Sequence, residues 1–431
     1  MKKRTRGRYF FLLLFLIVWC FAGCSDVEIL TEVPGTMQVE QENAAMIRTE
    51  DSIENTESSE NGDEDGASVE SGQAENGEEQ ETLSFLMADI PRFAYDSLSA
   101  EEQIWYQEIE QALGTMSEET KLSEECLEAG LDESCIDKIF QCVLNDHPEI
   151  FYVDGYTYTK YCRGVRTVAI DFAGNYQLTK EEAVERKAEI DQAVQAIVDN
   201  VDMQASDYNK VKYVFETLIR RTEYDLNAPD NQNIYSVFVG GSSVCQGYAK
   251  ATQYLLNCLG VECTLVQGTV ENGQGHAWNL VRVDGSYYYV DTTWGDASYQ
   301  QEDGQSVDGQ YLPEINYDYL CVTTEQLLRT HTISSIVPMP ECMDTAANYY
   351  VQEGALFESY DKEQMARLFK QAADRGENDV TVKCANEECF RLIKSALIDE
   401  QDIFDYLPDG YKTVSYAHSE KQLSLTFWVT N

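Results

Sequence analysis

Positive charge is what this chain has least of. Across 431 residues, 31 lysines and arginines stand against 76 aspartates and glutamates, a formal net charge of −45. Nucleic acid is disfavoured as a partner, because binding it requires cationic surface to neutralise phosphates. The chain also lacks a run of the roughly 20 apolar residues that a membrane-spanning helix needs; the stretch from Tyr9 to Phe21 falls short of it. No cysteine–histidine spacing reads as a zinc set, since Cys384 and Cys389 stand alone in their region and His418 lies far downstream. No internal repeat is evident, and neither a cofactor nor a metal is expected.

What is there begins at the amino terminus. Lys2, Lys3, Arg4, Arg6 and Arg8 precede the apolar stretch, which ends at Ala22-Gly23-Cys24. A positive flank, a short apolar core and small residues at the cut make residues 1–23 a secretory signal. Phe21-Ala22-Gly23-Cys24 resembles a bacterial lipobox, with phenylalanine where leucine is usual. A lipidated Cys24 would then be the first mature residue, and several acyl chains would give a stable anchor. The expected location is the extracytoplasmic face of the cell membrane. An uncleaved signal anchor is the alternative.

Residues 25 to 82 hold 18 acidic residues and one basic residue, Arg48, among frequent Ser, Gly, Asn and Gln. Such a segment cannot bury enough apolar surface to offset its ordering entropy, so 24–82 is expected to be a disordered acidic tether. As a flexible chain it would span about 45 Å. About 350 residues remain for folding, enough for a large core and two or three units. Removing the five signal cations takes the net charge from −45 to −50. Of 13 cysteines, Cys20 leaves with the signal and Cys24 takes the lipid, leaving 11 in the folded part. Ten could pair if one stays free, but parity does not give connectivity, and the alternative of reduced thiols stays open.

Three short motifs carry chemistry: Ser243-Val244-Cys245-Gln246-Gly247-Tyr248-Ala249, His276-Ala277-Trp278-Asn279 and Val290-Asp291-Thr292-Thr293-Trp294. After Tyr248, positions Thr252, Leu255, Leu256 and Leu259 have one-face helical spacing, and Gly260 marks the helix end. Ser242 and Ser243 are candidate N-caps, placing Cys245 in the first turn, where the helix dipole favours the thiolate. Two β-rich stretches, 278–283 and 286–290, flank Asp284-Gly285, a type I′ turn signal. If that turn closes a hairpin, Val283 pairs with Ser286 and Asp291 falls opposite Trp278. His276 is then diagonal to Asp291 on the same face, a Cβ separation of about 7–8 Å that their side chains can bridge. A slip of one residue would separate them. Taken singly, each of the three has a structural explanation; their joint placement points to a nucleophile, its base and the base's orienter. Asp296, after the strand, is the rival for the third position.

The block from about 205 to 296, with Cys245-Gln246-Gly247-Tyr248-Ala249, His276-Ala277-Trp278-Asn279 and Asp291-Thr292-Thr293-Trp294, resembles the transglutaminase-like superfamily. The resemblance implies an α+β, papain-like core, one helix packed on an antiparallel sheet, with catalytic roles for Cys245, His276 and Asp291. The flanks resemble those of bacterial lipoproteins carrying such a domain. Superfamily members include cross-linkers, peptidases, amidases and inactive binding modules.

Around this core the chain divides into an α+β lead-in at 83–178, the catalytic domain at 179–340 and a small α+β region at 341–431. Ser99 to Glu102 reads as a capping box opening a helix with Trp105, Ile109, Ala112 and Leu113 on one face. A second helix is expected near Asp132 to Asn145, then strands from Ile150 to Tyr161 and Val165 to Asp171. A long helix follows Thr179, and another runs from Tyr208 to Arg221. Gln300 to Gln310 reads as a polar Gly-rich loop. The last region should hold a helix near Asp361 to Ala373 and strands near Asp379 to Val382 and Gln422 to Val429.

The expected activity is that of a membrane-tethered cysteine peptidase, amidase or protein-glutamine transferase acting on a peptide or protein substrate. The Cys245 backbone N–H and Gln246 are candidate oxyanion donors, and Trp278 and Trp294 are candidate cleft walls, with ordinary aromatic core packing as the alternative for both. Whether water or an amine takes the acyl group is open. The alternative is a surface-tethered binding module without turnover.

Overall fold

The computed structural model describes residues 38–45, 90–163, 166–296, 313–408 and 414–429. The signal segment, Cys24, most of the expected tether and the loop from Gln300 to Gln310 lie outside the described residues.

Within the expected tether, Gln38–Ala45 forms a strand, β1. Helix α1 (Phe93–Asp96) leads to α2 (Ala100–Thr115), which starts at the expected capping box. Ser99 Oγ accepts from the Glu102 N–H at 3.2 Å, and the Glu102 carboxylate accepts from the Ser99 N–H at 2.9 Å. Trp105, Ile109, Ala112 and Leu113 of α2 are buried, as their helical spacing requires. Next come β2 (Thr120–Lys121), α3 (Glu124–Ala129), α4 (Ser134–Asp146) and the long hairpin of β3 (Val153–Arg163) and β4 (Arg166–Tyr176). The sheet order is β1-β3-β4-β2. Strand β1 pairs antiparallel with the open edge of β3, from Gln38 opposite Cys162 to Ala45 opposite Gly155.

Helices α5 (Lys180–Val198) and α6 (Asp207–Arg221) then precede two short parallel strands, β5 (Glu223–Tyr224) and β6 (Ser242–Ser243). Helix α7 (Cys245–Cys258) packs against β7 (Cys263–Val270) and β8 (Gly275–Val283). Strand β9 (Ser286–Val290), the short helix α8 (Thr292–Gly295) and β10 (His331–Ile333) complete this part, an antiparallel sheet in the order β10-β7-β8-β9. The architecture is α+β, with one helix laid on an antiparallel sheet. The last sheet holds β11 (Leu356–Phe357), β12 (Asp379–Cys384), β13 (Ser415–Ser419) and β14 (Ser424–Trp428) in the order β11-β12-β14-β13, with helix Lys362–Arg375 packed on β12.

One apolar core runs from Trp105 and Phe140 through Phe215 to Leu255 and Tyr288, so the lead-in and the central sheet share an interior. The C-terminal region has its own core around Phe357, Phe369 and Phe427. Two buried polar hubs brace the structure, the first within the lead-in and the second between the central and C-terminal parts. His147 lies 2.8 Å from Glu110 and 2.9 Å from Glu149. Burial pulls its imidazole down, but the two carboxylates outweigh that and raise it to about 9. In the second hub, Lys383 of β12 reaches Asp318 at 2.7 Å, and Ser424 of β14 donates to the other Asp318 oxygen at 2.8 Å. The eleven described cysteines are all free thiols. Among the described residues no helix is long and apolar enough to cross a membrane.

Candidate active site

Cys245 is the first residue of α7, as its sequence position suggests, but neither serine caps the helix. The N-cap is Val244, in extended conformation and without a side-chain cap. Ser243 turns away because its hydroxyl donates to the Asn231 carbonyl at 2.7 Å and meets the Ser236 hydroxyl at 2.7 Å. Gly247 makes this close approach possible: a Cβ there would stand 2.0 Å from Ser243 Oγ and 2.9 Å from the Asn231 carbonyl. The helix start therefore keeps its first turn free of a competing cap at the sulfur, where the dipole favours negative charge.

The hairpin has the register that its turn residues imply. Asp284 and Gly285 both take positive φ, 49° and 88°, as a type I′ turn demands, and Val283 pairs with Ser286. Pairing continues to Asn279 opposite Val290, so the next step brings Trp278 beside Asp291. His276 then reaches across: its Nε2 lies 2.7 Å from Asp291 Oδ2, both side chains being buried. Cys245 acts on the same imidazole, its charge and hydrogen bonding adding to those of Asp291 in raising it. Asn279 ties the strand to the helix, donating to the Ala249 carbonyl at 2.9 Å.

Asp291 is held on three sides. As N-cap of α8 its Oδ1 accepts from the Trp294 N–H at 3.0 Å, while Oδ2 receives His276 and also His331 Nε2, at 3.0 Å. Burial alone would raise this carboxyl, yet the charge of His276 and the hydrogen bonds of both histidines hold it well below the usual carboxylate range. Burial likewise opposes a charged His276, but Asp291 and then Cys245 outweigh it and raise the imidazole to about 10. His331 goes the other way: desolvation and the nearby His276 pull it down, against the pull of Asp291. A neutral His331 donates from Nε2 to Asp291 and accepts at Nδ1 from Thr330 Oγ1, 2.8 Å away.

The other expected site residues are distributed differently. Gln246 lines, with Cys245, a cavity of about 340 Å³ between the lead-in and the central sheet. Trp278 and Trp294 do not line that cavity. Trp278 is fully buried, its ring stacked on the His276 imidazole at 5.8 Å between centroids and packed with Val266, Leu280 and Tyr289. Trp294 stands edge-on to His276 at 6.1 Å and packs against Tyr319. The two indoles thus enclose the imidazole, which keeps water from competing with its hydrogen bonds. Asp296, the rival orienter, accepts from Tyr248 Oη at 2.9 Å instead.

His331 is the site residue that sequence reasoning missed. It lies 40 positions beyond Asp291 on a three-residue strand, and nothing local marks it; only the pairing of β10 with β7 delivers it. His276, Asp291 and His331 are also the one described group whose donor atoms lie close enough together to hold a metal ion, within 4.8 Å of one another. Both Nε2 atoms already point at a single Asp291 oxygen, so a metal would have to displace that hydrogen-bonded arrangement.

Comparison with known proteins places this geometry in context. Residues 192–292 match the family model of the transglutaminase-like superfamily. Kyphoscoliosis peptidase of Mus musculus is 27% identical over 106 residues, and that of Homo sapiens 26% over 106 residues; each match covers 21% of this chain and 16% of the relative. The chain thus spans about a sixth of the curated relatives it matches. Among solved structures, a TGase crystal structure overlaps 34% of this chain and 43% of its own, at 16% identity and a TM-score of 0.24. The periplasmic domain of TgpA from Pseudomonas aeruginosa overlaps 36% of this chain and 76% of its own, at 12% identity and a TM-score of 0.20. Within this mixed helix-and-sheet chain, residues 192–292 carry a transglutaminase-like domain.

Proposed function

We propose that the protein is a cysteine acyl-enzyme that cleaves or transfers amide bonds of peptide or protein substrates, with Cys245 as nucleophile, His276 as acid and base, and Asp291 as orienter. The observation that carries this is a helix-start thiol that raises an imidazole whose Nε2 lies 2.7 Å from a buried carboxylate. A module that only binds has no physical need for it.

The chemistry follows from the protonation states. With His276 raised to about 10, the imidazole readily takes up the proton of the Cys245 thiol as the sulfur attacks. Sulfur attacks the carbonyl carbon, and the oxyanion is received by the Cys245 backbone N–H with Gln246 as the candidate side-chain donor. The Nδ1 proton passes to the departing amine as the C–N bond breaks, leaving a thioester. Water, or an amine in a transfer reaction, then attacks as Nδ1 takes its proton, and the thiolate leaves. Asp291 stays ionised throughout, fixing the ring through Nε2.

We further propose that the enzyme works outside the cytoplasm, tethered through Cys24, on the strength of the charged, apolar and small-residue pattern at the amino terminus. Incorporation of labelled palmitate, abolished by Cys24→Ala, tests the anchor. Release of amine or ammonia from glutaminyl and other peptides, with and without a primary amine acceptor, tests the reaction. Release without acceptor indicates hydrolysis, and incorporation of the acceptor indicates transfer. Peptide binding that persists without either product would favour the tethered binding module.

A further inference from the structure

The cavity beside Cys245 contains a charge that the proposed mechanism does not use. Lys250, one helical turn after Gln246 on α7, lines the same cavity and is only 4% exposed. Among the described residues it has neither an acidic partner nor a hydrogen-bond acceptor. The other charged residues lining the cavity are engaged elsewhere: Asp230 pairs with Arg186 at 2.9 Å, and Asp154 accepts from Gln177 at 3.1 Å. Burying a cation without a partner is costly, and evolution usually removes such a group or supplies an anion. Among the described residues no anion meets it, while space for one adjoins the nucleophile.

We propose that this cavity is a carboxylate-binding subsite anchored by Lys250, so that the substrate of Cys245 carries a carboxylate close to the bond that is attacked. The proposal rests on the acyl-enzyme reading for its catalytic meaning, but the subsite can be tested without turnover. A carboxylate fits better than a phosphate. One monoanion balances the single ammonium, whereas a dianion would leave uncompensated charge in a buried place. The rest of the lining is suited to the same ligand, since Gln246 and Gln267 offer amide groups that can donate to the second carboxylate oxygen, while the Gln141 and Asn145 amides already donate to Asp137 and Thr264. With a net charge of −45 the chain does not attract anions at long range, so recognition has to come from this local, desolvated contact. Burial also lowers Lys250 to about 8, which leaves it charged at neutral pH and makes binding weaken as pH rises through that value.

The carboxylate has two available sources, a peptide C-terminus or an acidic side chain. Three probes separate them: N-acetyl-Ala-Ala with a free C-terminus, its carboxamide, and N-acetyl-Ala-Glu-Ala carboxamide. Binding is measured by NMR titration on Cys245→Ala protein, where no acyl-enzyme forms, and on Cys245→Ala/Lys250→Met. The expected result is at least tenfold tighter binding of one acidic probe than of the neutral one, with the preference abolished by Lys250→Met. Preference for the free C-terminus identifies a terminal carboxylate, and preference for the glutamyl probe an acidic side chain. Lys250→Met should fold and melt no lower than its parent, because an unpartnered buried charge is replaced by an apolar chain of similar length. Equal binding of acidic and neutral probes, no binding of any probe at 10 mM, or an acid preference that survives Lys250→Met overturns the proposal. Loss of turnover in the Cys245 series alone bears on the acyl-enzyme reading and leaves this result standing.

Discussion

His331 Nε2 lies 3.0 Å from Asp291 Oδ2, the same oxygen that His276 Nε2 meets at 2.7 Å. A carboxylate gripped by two imidazoles and a backbone N–H cannot rotate, so the orienter of the proposed triad is itself oriented. His331 touches neither the thiol nor the cavity; in this account it is a positioning residue.

His331→Phe should therefore lower kcat by roughly 10- to 100-fold with little change in KM, while His331→Gln, which keeps an N–H donor, should recover part of the loss. Steady-state kinetics on both variants decides it. Equal losses in the two would mean that only the shape of the ring matters.

The His276–Asp291 pair predicts a pH window for stability. His276 is raised in the fold, so its contribution is complete below about 6.5 and is lost as pH rises through about 10. Asp291 is lowered, so its contribution is present above 3.8 and is lost as pH falls toward the carboxyl's own depressed value. Both describe one ion pair and count once. The difference in Tm between the native protein and His276→Leu should be greatest between pH 4 and 6.5 and shrink steadily toward pH 10. A difference independent of pH would show that the imidazole contributes packing alone.

A separate prediction concerns the lead-in. His147 sits between Glu110 and Glu149, the latter fully buried, so His147→Ala removes the imidazole that bridges two carboxylates in the interior. The expected destabilisation at pH 7 is about 3–5 kcal/mol, measured by urea denaturation. Because His147 is raised to about 9, this contribution should fade as pH rises through that value. An exposed-histidine effect below 1 kcal/mol would contradict the hub.

How much of this could be read beforehand follows from where the information lies. The His276–Asp291 contact was legible because Asp284-Gly285 is a local turn signal that fixes register, and register fixes which side chains share a face. Cys245 at a helix head was legible from the spacing of Thr252, Leu255 and Leu256. The capping role expected of Ser243 was not realised, because Asn231, a tertiary neighbour 12 residues away, takes its hydroxyl. His331 and Lys250 were invisible for the same kind of reason. A histidine on a three-residue strand and a lysine on a helix carry no local mark of burial; β10 pairing with β7 buries the first, and the lead-in packed over α7 encloses the second. Trp278 carried an ambiguity between cleft wall and core, and its packing against Val266 and Tyr289 places it in the core.

The central claim is that Cys245 forms an acyl bond. The most direct measurement is incubation of the native protein with a peptide-like thiol-reactive probe and with glutaminyl peptides, followed by mass mapping of every cysteine and of released products. Cys245→Ala, which removes one sulfur beside a cavity, should keep its melting behaviour and lose both the adduct and the product. The account predicts a dominant adduct at Cys245 and amine release that depends on Cys245 and His276. Labelling of Cys258 or Cys263 with Cys245 untouched, or product release undiminished in Cys245→Ala, would contradict it.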